Sequence, residues 1–342
     1  MPKFPIPADW HELPDEELLA LRLSDLPLKI EGALLEGGLA RLAAELEARG
    51  LNLPIHFYIS TEWFTPDRTT SMAVPFYLTH PRLERLERGQ MLEVEGGDPE
   101  WCMRILRHEA GHVIDNAYKL RLRRRRRVLF GPSSLPYPEV YEPRPYSKSF
   151  VLHLDAWYAQ AHPDEDFAET FAVWLAPESD WKARYEGWPA LAKLEYVDEL
   201  MRKLRGKTPR VLDPSEVDPL RRMRRTLRHH YRLKRRHYGV EHPHFYDRDL
   251  RRLFSDAPEF AANITAAQFI IRIRKSVRRV VSTWTGIYQY TVDRVLEDMI
   301  DRCRDLKLRL AVPEDQARHE FTVLLTVQTM NYLHSGRHRV AL

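Results

Sequence analysis

The stretch LRHEAGHVIDN, residues 106–116, contains two histidines and a glutamate at a spacing that suits metal chemistry. His108 and His112 are four residues apart, so a helix places both imidazoles on one face with the carboxylate of Glu109 beside them. A catalytic zinc ion normally takes three protein ligands and one water. The motif therefore predicts two zinc ligands and a neighbouring base, and the third ligand must be found elsewhere.

The third ligand does not follow the motif directly along the chain. The longer pattern H-E-x-x-H-x-x-G-x-x-H would need glycine at position 115 and histidine at position 118, where this sequence has Asp115 and Tyr118. A ligand from a separate segment remains, and the predicted helix PDEDFAETFAVWLA, residues 163–176, offers carboxylates for that role.

This second predicted helix has two unlike faces. At 100° per residue, carboxylates and alanines share one face and aromatic residues share the opposite one: Glu165, Ala168, Glu169, Ala172 and Ala176 against Phe167, Phe171 and Trp174. A carboxylate enclosed by apolar surface is costly unless it is paired or bound to a metal. Ala110 and Gly111 on the first helix are also small, and close approach of the two helices would explain why a glycine is kept at a cost of about 1 kcal/mol relative to alanine.

In the simplest assembly, Glu165 is the third metal ligand. Glu169 lies one turn later and would hydrogen-bond a ligating histidine, a supporting contact that zinc sites usually have. Glu169 as the ligand itself, or His153 or His162 from the preceding segment, are the alternatives.

The segments RHEAGHVIDNAY and YAQAHPDEDFAETFAVWL resemble a zinc-binding metallopeptidase family of bacteria and, more distantly, the catalytic domain of anthrax lethal factor. Both belong with the gluzincins, whose third ligand is a glutamate on a later helix. The resemblance covers roughly residues 55–205. It implies three zinc ligands, a catalytic base and a tyrosine that assists the transition state, namely His108, His112 and Glu165, then Glu109, then Tyr158. Many gluzincins have aspartate at the position of Glu169, so this chain departs from their pattern there.

The expected activity is zinc-dependent hydrolysis of a peptide or protein substrate by a zinc-bound water that Glu109 activates. Two other functions are considered: a nucleic-acid-associated zinc protein, and a catalytically silent scaffold with a zincin fold. A purely structural metal has no need of a base between its histidines, so the presence of Glu109 argues against the scaffold.

Composition narrows the class of protein further. The chain has 342 residues with 44% hydrophobic content, enough for a substantial core, and its 53 basic and 49 acidic residues leave a net charge of +4. This balance argues against long-range attraction to nucleic acid as the main purpose. Residues 121–127 and 221–236 are nevertheless basic enough to contact nucleic acid or an acidic partner, although a solvated surface is the commoner reason for such runs.

No signal peptide begins the sequence and no apolar run is long enough to span a membrane, so a cytoplasmic protein is expected. The two cysteines, Cys102 and Cys303, are far apart and do not indicate a disulfide framework. The histidines at 237, 242 and 244 lack a strong metal-ligand spacing. No feature of the sequence indicates an oligomeric state.

The predicted fold class is α+β. Residues 1–54 form a helical segment, residues 55–205 a zincin-like domain, residues 206–220 a linker, and residues 221–342 a mainly helical region. The zincin-like domain combines an active-site helix, a ligand helix and a small mixed sheet from LPIHFYISTEWF and SMAVPFYLTH. Pro75 makes the second strand an edge strand, which could hold an extended substrate, and residues 121–150 are predicted as a surface excursion.

Overall fold

The computed structural model describes residues 7, 9–31, 35–138, 140–141, 143–144, 147–155, 157–238, 246–334 and 340–341. Over these residues the protein has a mixed α+β fold, mostly helical, with small sheets. The chain divides into a first compact unit up to Arg232 and a second from Leu233 to Ala341. No helix of the described residues is both long enough and apolar enough to cross a membrane.

The first unit contains eight named helices and three strands within the described residues. These are α1 (Asp15–Ala20), α2 (Leu35–Ala48), β1 (His56–Ser60), β2 (Ser71–Pro75), α3 (Pro81–Met91), α4 (Pro99–Tyr118), α5 (Arg124–Phe130), β3 (Val140–Tyr141), α6 (Pro163–Leu175), α7 (Trp181–Arg184) and α8 (Ala190–Leu204). Helix α9 (Leu227–Tyr238) crosses the boundary. The second unit continues with α10 (Asp247–Leu253), β4 (Phe254–Ser255), α11 (Ala266–Thr285), α12 (Gln289–Asp305), β5 (Arg309–Leu310), α13 (Glu314–His334) and β6 (Val340–Ala341).

The two predicted strands pair in parallel, from His56 opposite Ser71 to Ser60 opposite Pro75. Every residue of β2 is buried. The prediction of an open edge on β2 is wrong at its centre, because the Ala73 N–H donates a 2.8 Å hydrogen bond to the carbonyl of Phe64. An extended substrate therefore cannot pair with β2 at that residue.

The composition of residues 206–220 predicts a linker. In the structure this segment packs against the two strands. The backbone N–H of Thr70 donates to the Asp213 carbonyl at 2.7 Å, and the Tyr58 hydroxyl donates to the Val217 carbonyl at 2.9 Å. The division into units falls later, between Arg232 and Leu233. Proline and aspartate mark this segment as irregular, but its backbone still supplies acceptors to Tyr58 of β1 and to Thr70, the residue before β2.

Local sequence signals set the starts of α4 and α6. The Asp98 side chain caps α4 by accepting hydrogen bonds from the N–H groups of Glu100 and Trp101, and Pro99 is the first helical residue. His162 caps α6 by accepting from the Asp164 N–H, again followed by a proline. Both helices are buried along most of their length, so they form the centre of the first unit.

Helices α4 and α6 approach closely where Gly111 faces Ala168. A Cβ atom on Gly111 would lie 2.7 Å from the Ala168 Cα and 3.1 Å from its carbonyl oxygen. This is the close approach that the small residues of both helices predict, and the aromatic face of α6 is buried on the other side. The contact brings His108 within reach of the carboxylates on α6.

Replacing Gly111 with alanine is expected to lower the free energy of unfolding by up to about 2 kcal/mol. The new methyl meets backbone, so overpacking of about 1–3 kcal/mol exceeds the helix-propensity gain of about 1 kcal/mol. Gly89 in α3 has no atom within 4 Å of the corresponding position, so Gly89→Ala is the matched control and should stabilise. Urea unfolding of the two variants measures the contrast, and equal stabilisation by both would contradict this packing.

The segment predicted as a surface excursion contains α5, and the prediction is wrong for Arg126. Its guanidinium is fully buried and donates to Asp115 Oδ2 at 2.7 Å and Asp164 Oδ1 at 2.6 Å. Two buried carboxylates neutralise this arginine, which explains why a charged residue lies in the core. The exposed arginines of 121–127 stay a predicted contact surface.

The second unit is built around α11, α12 and α13. The predicted buried face of α12 is confirmed from Val292 to Cys303. Leu306 is only partly buried against the hydrophobic core of the second unit. Thr265 and Gln268 form a capping box at the start of α11. The side chains of His237, His242 and His244 lie outside the described residues.

Candidate metal centre

Three side-chain atoms converge between α4 and α6. His108 Nε2 lies 3.0 Å from Glu165 Oε2 and 3.1 Å from His112 Nε2, and His112 Nε2 lies 3.1 Å from Glu165 Oε2. Among the residues that the structure describes, no other set of three His, Cys, Asp or Glu side chains meets in this way. The cluster joins the two predicted helices, because Glu165 on α6 lies 53 positions after His112 on α4.

The spacing and the donor atoms of this triangle fit a zinc ion. Tetrahedral zinc with bonds of about 2.0–2.1 Å separates its ligand atoms by about 3.3 Å, within a few tenths of an ångström of the observed edges. Two imidazole nitrogens and one carboxylate oxygen form a ligand set of the catalytic type, because three protein ligands leave a fourth position for water or substrate.

Glu169 lies behind the triangle and is not part of it. Its Oε1 is 2.7 Å from His108 Nδ1, and its Oε2 accepts a 2.8 Å hydrogen bond from the Leu154 N–H. Because both oxygens are engaged on the far side of the ring, Glu169 is not placed as a ligand. A proton on Nδ1 of His108, donated to Glu169, leaves the Nε2 lone pair facing the centre of the triangle.

The other two alternatives for the third ligand also point elsewhere. His153 Nε2 lies 2.9 Å from the Arg104 carbonyl, which accepts its hydrogen. His162 caps α6 through Nδ1, which accepts from the Asp164 N–H, and its Nε2 lies 2.9 Å from the Leu135 carbonyl. Both histidines are used to fix the backbone around the centre.

The electrostatics of the triangle favour protonated imidazoles on His108 and His112 and an ionised carboxylate on Glu165. Burial lowers the pKa of His108, but hydrogen bonds to Glu165 and Glu169 outweigh it and raise this pKa well above its usual value. Burial likewise lowers the pKa of His112, and the charge of Glu165 more than compensates. Burial raises the pKa of Glu165, yet the charge of His112 and the hydrogen bond from His108 hold it well below its usual range. The metal-free cluster therefore retains protons that a metal must displace.

Zinc binding is consequently expected to release protons and to tighten as pH rises. For each proton displaced, the apparent dissociation constant should fall about tenfold per pH unit below the pKa of the group that loses it. Because the pKa values of both histidines are raised, this dependence should persist above their ordinary value of about 6.5. Competition with a chromophoric chelator between about pH 6 and about pH 8 measures the slope. A flat profile would show that the rings are already deprotonated.

Glu109 is held beside the centre on the same helix turn. It is 6% exposed, and its Oε2 accepts a 2.8 Å hydrogen bond from the Thr65 hydroxyl. Its charge reaches His112 and contributes to the raised pKa of that ring. Thr65 was not predicted, and no signal in its neighbourhood distinguishes it from an ordinary loop residue.

Tyr158 packs against the ring of His108, the more deeply buried of the two histidines. Its ring centroid is 5.5 Å from that of His108, with the planes tilted by 59°. Burial raises the pKa of Tyr158 well above 10, and the charges of Glu165 and Glu109 raise it further. The phenol therefore stays protonated and able to donate a hydrogen bond near the centre.

A second tyrosine, which sequence reasoning missed, hydrogen-bonds the carboxylate of Glu165. The Tyr137 hydroxyl donates to Glu165 Oε1 at 2.9 Å, and its ring stacks on His162 with centroids 3.8 Å apart. Desolvation of this half-exposed side chain, and then the charge of Glu165, raise the pKa of Tyr137, so it too is a neutral donor. Tyr137 lies in a proline-rich stretch with no periodicity that could have predicted this contact.

No protein-family model matches this chain, and neither a curated protein nor a solved structure is significantly similar to it. The resemblance of its two motifs to the gluzincins thus stays a prediction. The geometry of the centre carries the functional argument.

Some arginines of the basic segment 221–236 form ion pairs with acidic residues of the same chain. Arg228 donates to Glu16 at 2.7 Å, and Arg221 is paired with Glu216. Arg224 is exposed and forms no ion pair within the described residues. Contact of this segment with nucleic acid or an acidic partner stays a prediction.

Proposed function

We propose that this protein is a zinc-dependent metallopeptidase with a zincin-like core. His108, His112 and Glu165 would hold the ion, and Glu109 would act as the base. The observation that carries the proposal is the triangle of ligand atoms with edges of 3.0–3.1 Å beside the Glu109 carboxylate. A convergent set of this kind, with one position left for water, is the arrangement that hydrolytic zinc sites use.

Bound zinc would supply a Lewis acid and lower the pKa of a coordinated water toward about 7. Glu109 would accept a proton from that water at a carboxylate oxygen and later give it to the departing amine nitrogen. The hydrogen bond from Thr65 fixes the orientation of the Glu109 carboxylate for both transfers. Tyr158, as a neutral phenol beside His108, is the proposed donor to the negative oxygen of the transition state.

The position of Glu109 also favours catalysis over a structural role for the metal. Structural zinc sites are closed by four protein ligands, whereas this triangle offers three and has a nearly buried carboxylate next to it. Burying a carboxylate that is not a ligand costs free energy, so a purely structural centre would gain nothing from it.

The test combines zinc stoichiometry with chelator-sensitive cleavage. Purified protein should contain about one zinc per chain, cleave an unstructured protein such as casein, and lose that cleavage with a chelator until zinc is returned. His112→Ala should lose zinc and activity, while His229→Ala, a surface histidine of α9, should lose neither. Bound zinc without cleavage would favour the silent scaffold, and salt-sensitive DNA binding would favour the nucleic-acid-associated protein.

A further inference from the structure

We infer that Tyr137 is a positioning residue of the metal centre, which holds one oxygen of Glu165 so that only the other faces the metal. The inference rests on the proposed metal site. The two oxygens of Glu165 are divided between different partners: Oε1 accepts the Tyr137 hydroxyl at 2.9 Å, and Oε2 lies 3.0 Å and 3.1 Å from the two imidazole nitrogens.

The division matters because a carboxylate can bind a metal through one oxygen or through both. If both oxygens of Glu165 were free, rotation of the carboxylate could bring the second into the position that a zinc-bound water needs. A hydrogen bond to the second oxygen opposes that rotation, since the oxygen would have to leave its donor. Tyr137 thereby keeps the number of protein ligand atoms at three.

Tyr137 is itself fixed relative to the helix that carries Glu165. Its ring lies on that of His162 with an interplanar angle of 20°. His162 caps the first turn of α6, and its other nitrogen bonds the carbonyl of Leu135, two residues before the tyrosine. The phenol and the carboxylate therefore share one rigid frame, the start of α6.

A second set of hydrogen bonds holds the same stretch of chain, residues 131–138. The Ser133 hydroxyl donates to Asp164 Oδ1 at 2.5 Å, and Arg126 donates to Ser133 at 2.8 Å. Asp164 directly precedes the ligand residue Glu165. Attachments to His162, the N-cap residue of α6, and to Asp164 in its first turn make the tyrosine contact a built feature of the fold.

The exposure of Tyr137 separates its role from that of Tyr158. Tyr137 is 51% exposed, yet its hydroxyl reaches a carboxylate on a residue that is 5% exposed. Tyr158 packs on the His108 ring and has no hydrogen bond to Glu165 within the described residues. Tyr137 therefore hydrogen-bonds the proposed ligand Glu165, whereas Tyr158 is the proposed hydrogen-bond donor to the substrate.

The experiment compares Tyr137→Phe with Tyr158→Phe, since each change removes one oxygen and keeps the ring. Zinc affinity is measured by competition with a chromophoric chelator, and the coordination number by the visible spectrum of the cobalt(II)-substituted protein. Tyr137→Phe should weaken zinc binding by about 10–100-fold, as the loss of supporting hydrogen bonds does, and shift the cobalt spectrum toward higher coordination. Tyr158→Phe should change neither readout.

Thermal melting of the metal-free variants shows whether Tyr137→Phe is folded. If it is not, Ser133→Ala, which removes the hydrogen bond to Asp164 and leaves the contacts of the Glu165 carboxylate in place, should show a smaller loss of zinc affinity in the same direction. Wild-type zinc affinity and an unchanged cobalt spectrum in the folded Tyr137→Phe variant would overturn the inference and leave the proposed function intact. Zinc binding without peptide cleavage in the wild-type protein would defeat the proposed function alone, because neither readout depends on activity. A wild-type protein that binds no zinc would overturn both.

Discussion

Replacing Glu109 with glutamine is expected to lower kcat/KM for peptide cleavage by about 10²–10⁴-fold while zinc stays bound. The amide cannot accept a proton, so the general-base step is lost. The side chain keeps its size, and its amide oxygen can still accept the 2.8 Å hydrogen bond from Thr65, so the surroundings should change little. Glu109 contributes no atom to the ligand triangle, and for this reason the metal should be retained.

The measurement is kcat/KM on a fluorogenic peptide mixture, with zinc content determined on the same samples. Glu100→Gln is the matched control, because it makes the same chemical change on the same helix at a side chain that is 74% exposed. Its activity should equal that of the wild type. A Glu109→Gln variant that keeps both its zinc and its activity would show that another group takes the proton.

The parts of the centre that the sequence predicts are those encoded by helical periodicity. The pair His108 and His112 follows from a spacing of four, and the carboxylate face of α6 follows from counting at 100° per residue. Gly111 was informative because it costs stability inside a helix, so its presence needed a packing reason, and Ala168 supplies that reason. Periodicity works here because both helices are long, regular and in contact.

The parts that could not be predicted are contacts made by single residues of irregular segments. Thr65 reaches Glu109 across 44 positions, and Tyr137 reaches Glu165 across 28. Neither residue belongs to a repeating pattern, so its position is set only by how the loop that carries it packs. These two residues hydrogen-bond the proposed base and the proposed ligand, so the contacts that support this centre are harder to predict from sequence than the centre itself.

The arginine run at residues 121–127 is a second case in which the sequence does not predict which side chain is buried. Seen in sequence, six arginines within residues 121–127 indicate a solvated surface. The structure distinguishes among them, because Arg126 turns inward to two carboxylates that come from α4 and α6. Composition does not reveal which member of such a run is buried, since this depends on where unpaired carboxylates lie in the core.

Replacing Arg126 with methionine is accordingly expected to lower the free energy of unfolding by about 3–5 kcal/mol, the cost of breaking a buried ion pair from one side. Asp115 and Asp164 are 1% and 3% exposed, and both would lose their buried counter-charge. Burial raises the pKa of Asp115, and the charge of Arg126 only partly offsets that effect. Without the arginine, protonation of these carboxyls should relieve the strain, so the deficit should shrink as pH falls.

Urea unfolding of the metal-free protein at neutral and acidic pH measures this effect. Arg127→Met is the matched control, since its guanidinium is exposed and its loss should change stability by less than about 0.5 kcal/mol. Adding Asp115→Asn to Arg126→Met should recover part of the loss, because it removes one of the two carboxylates that lose their buried counter-charge. If Arg126→Met were as mild as Arg127→Met, the guanidinium would not be neutralising these carboxylates.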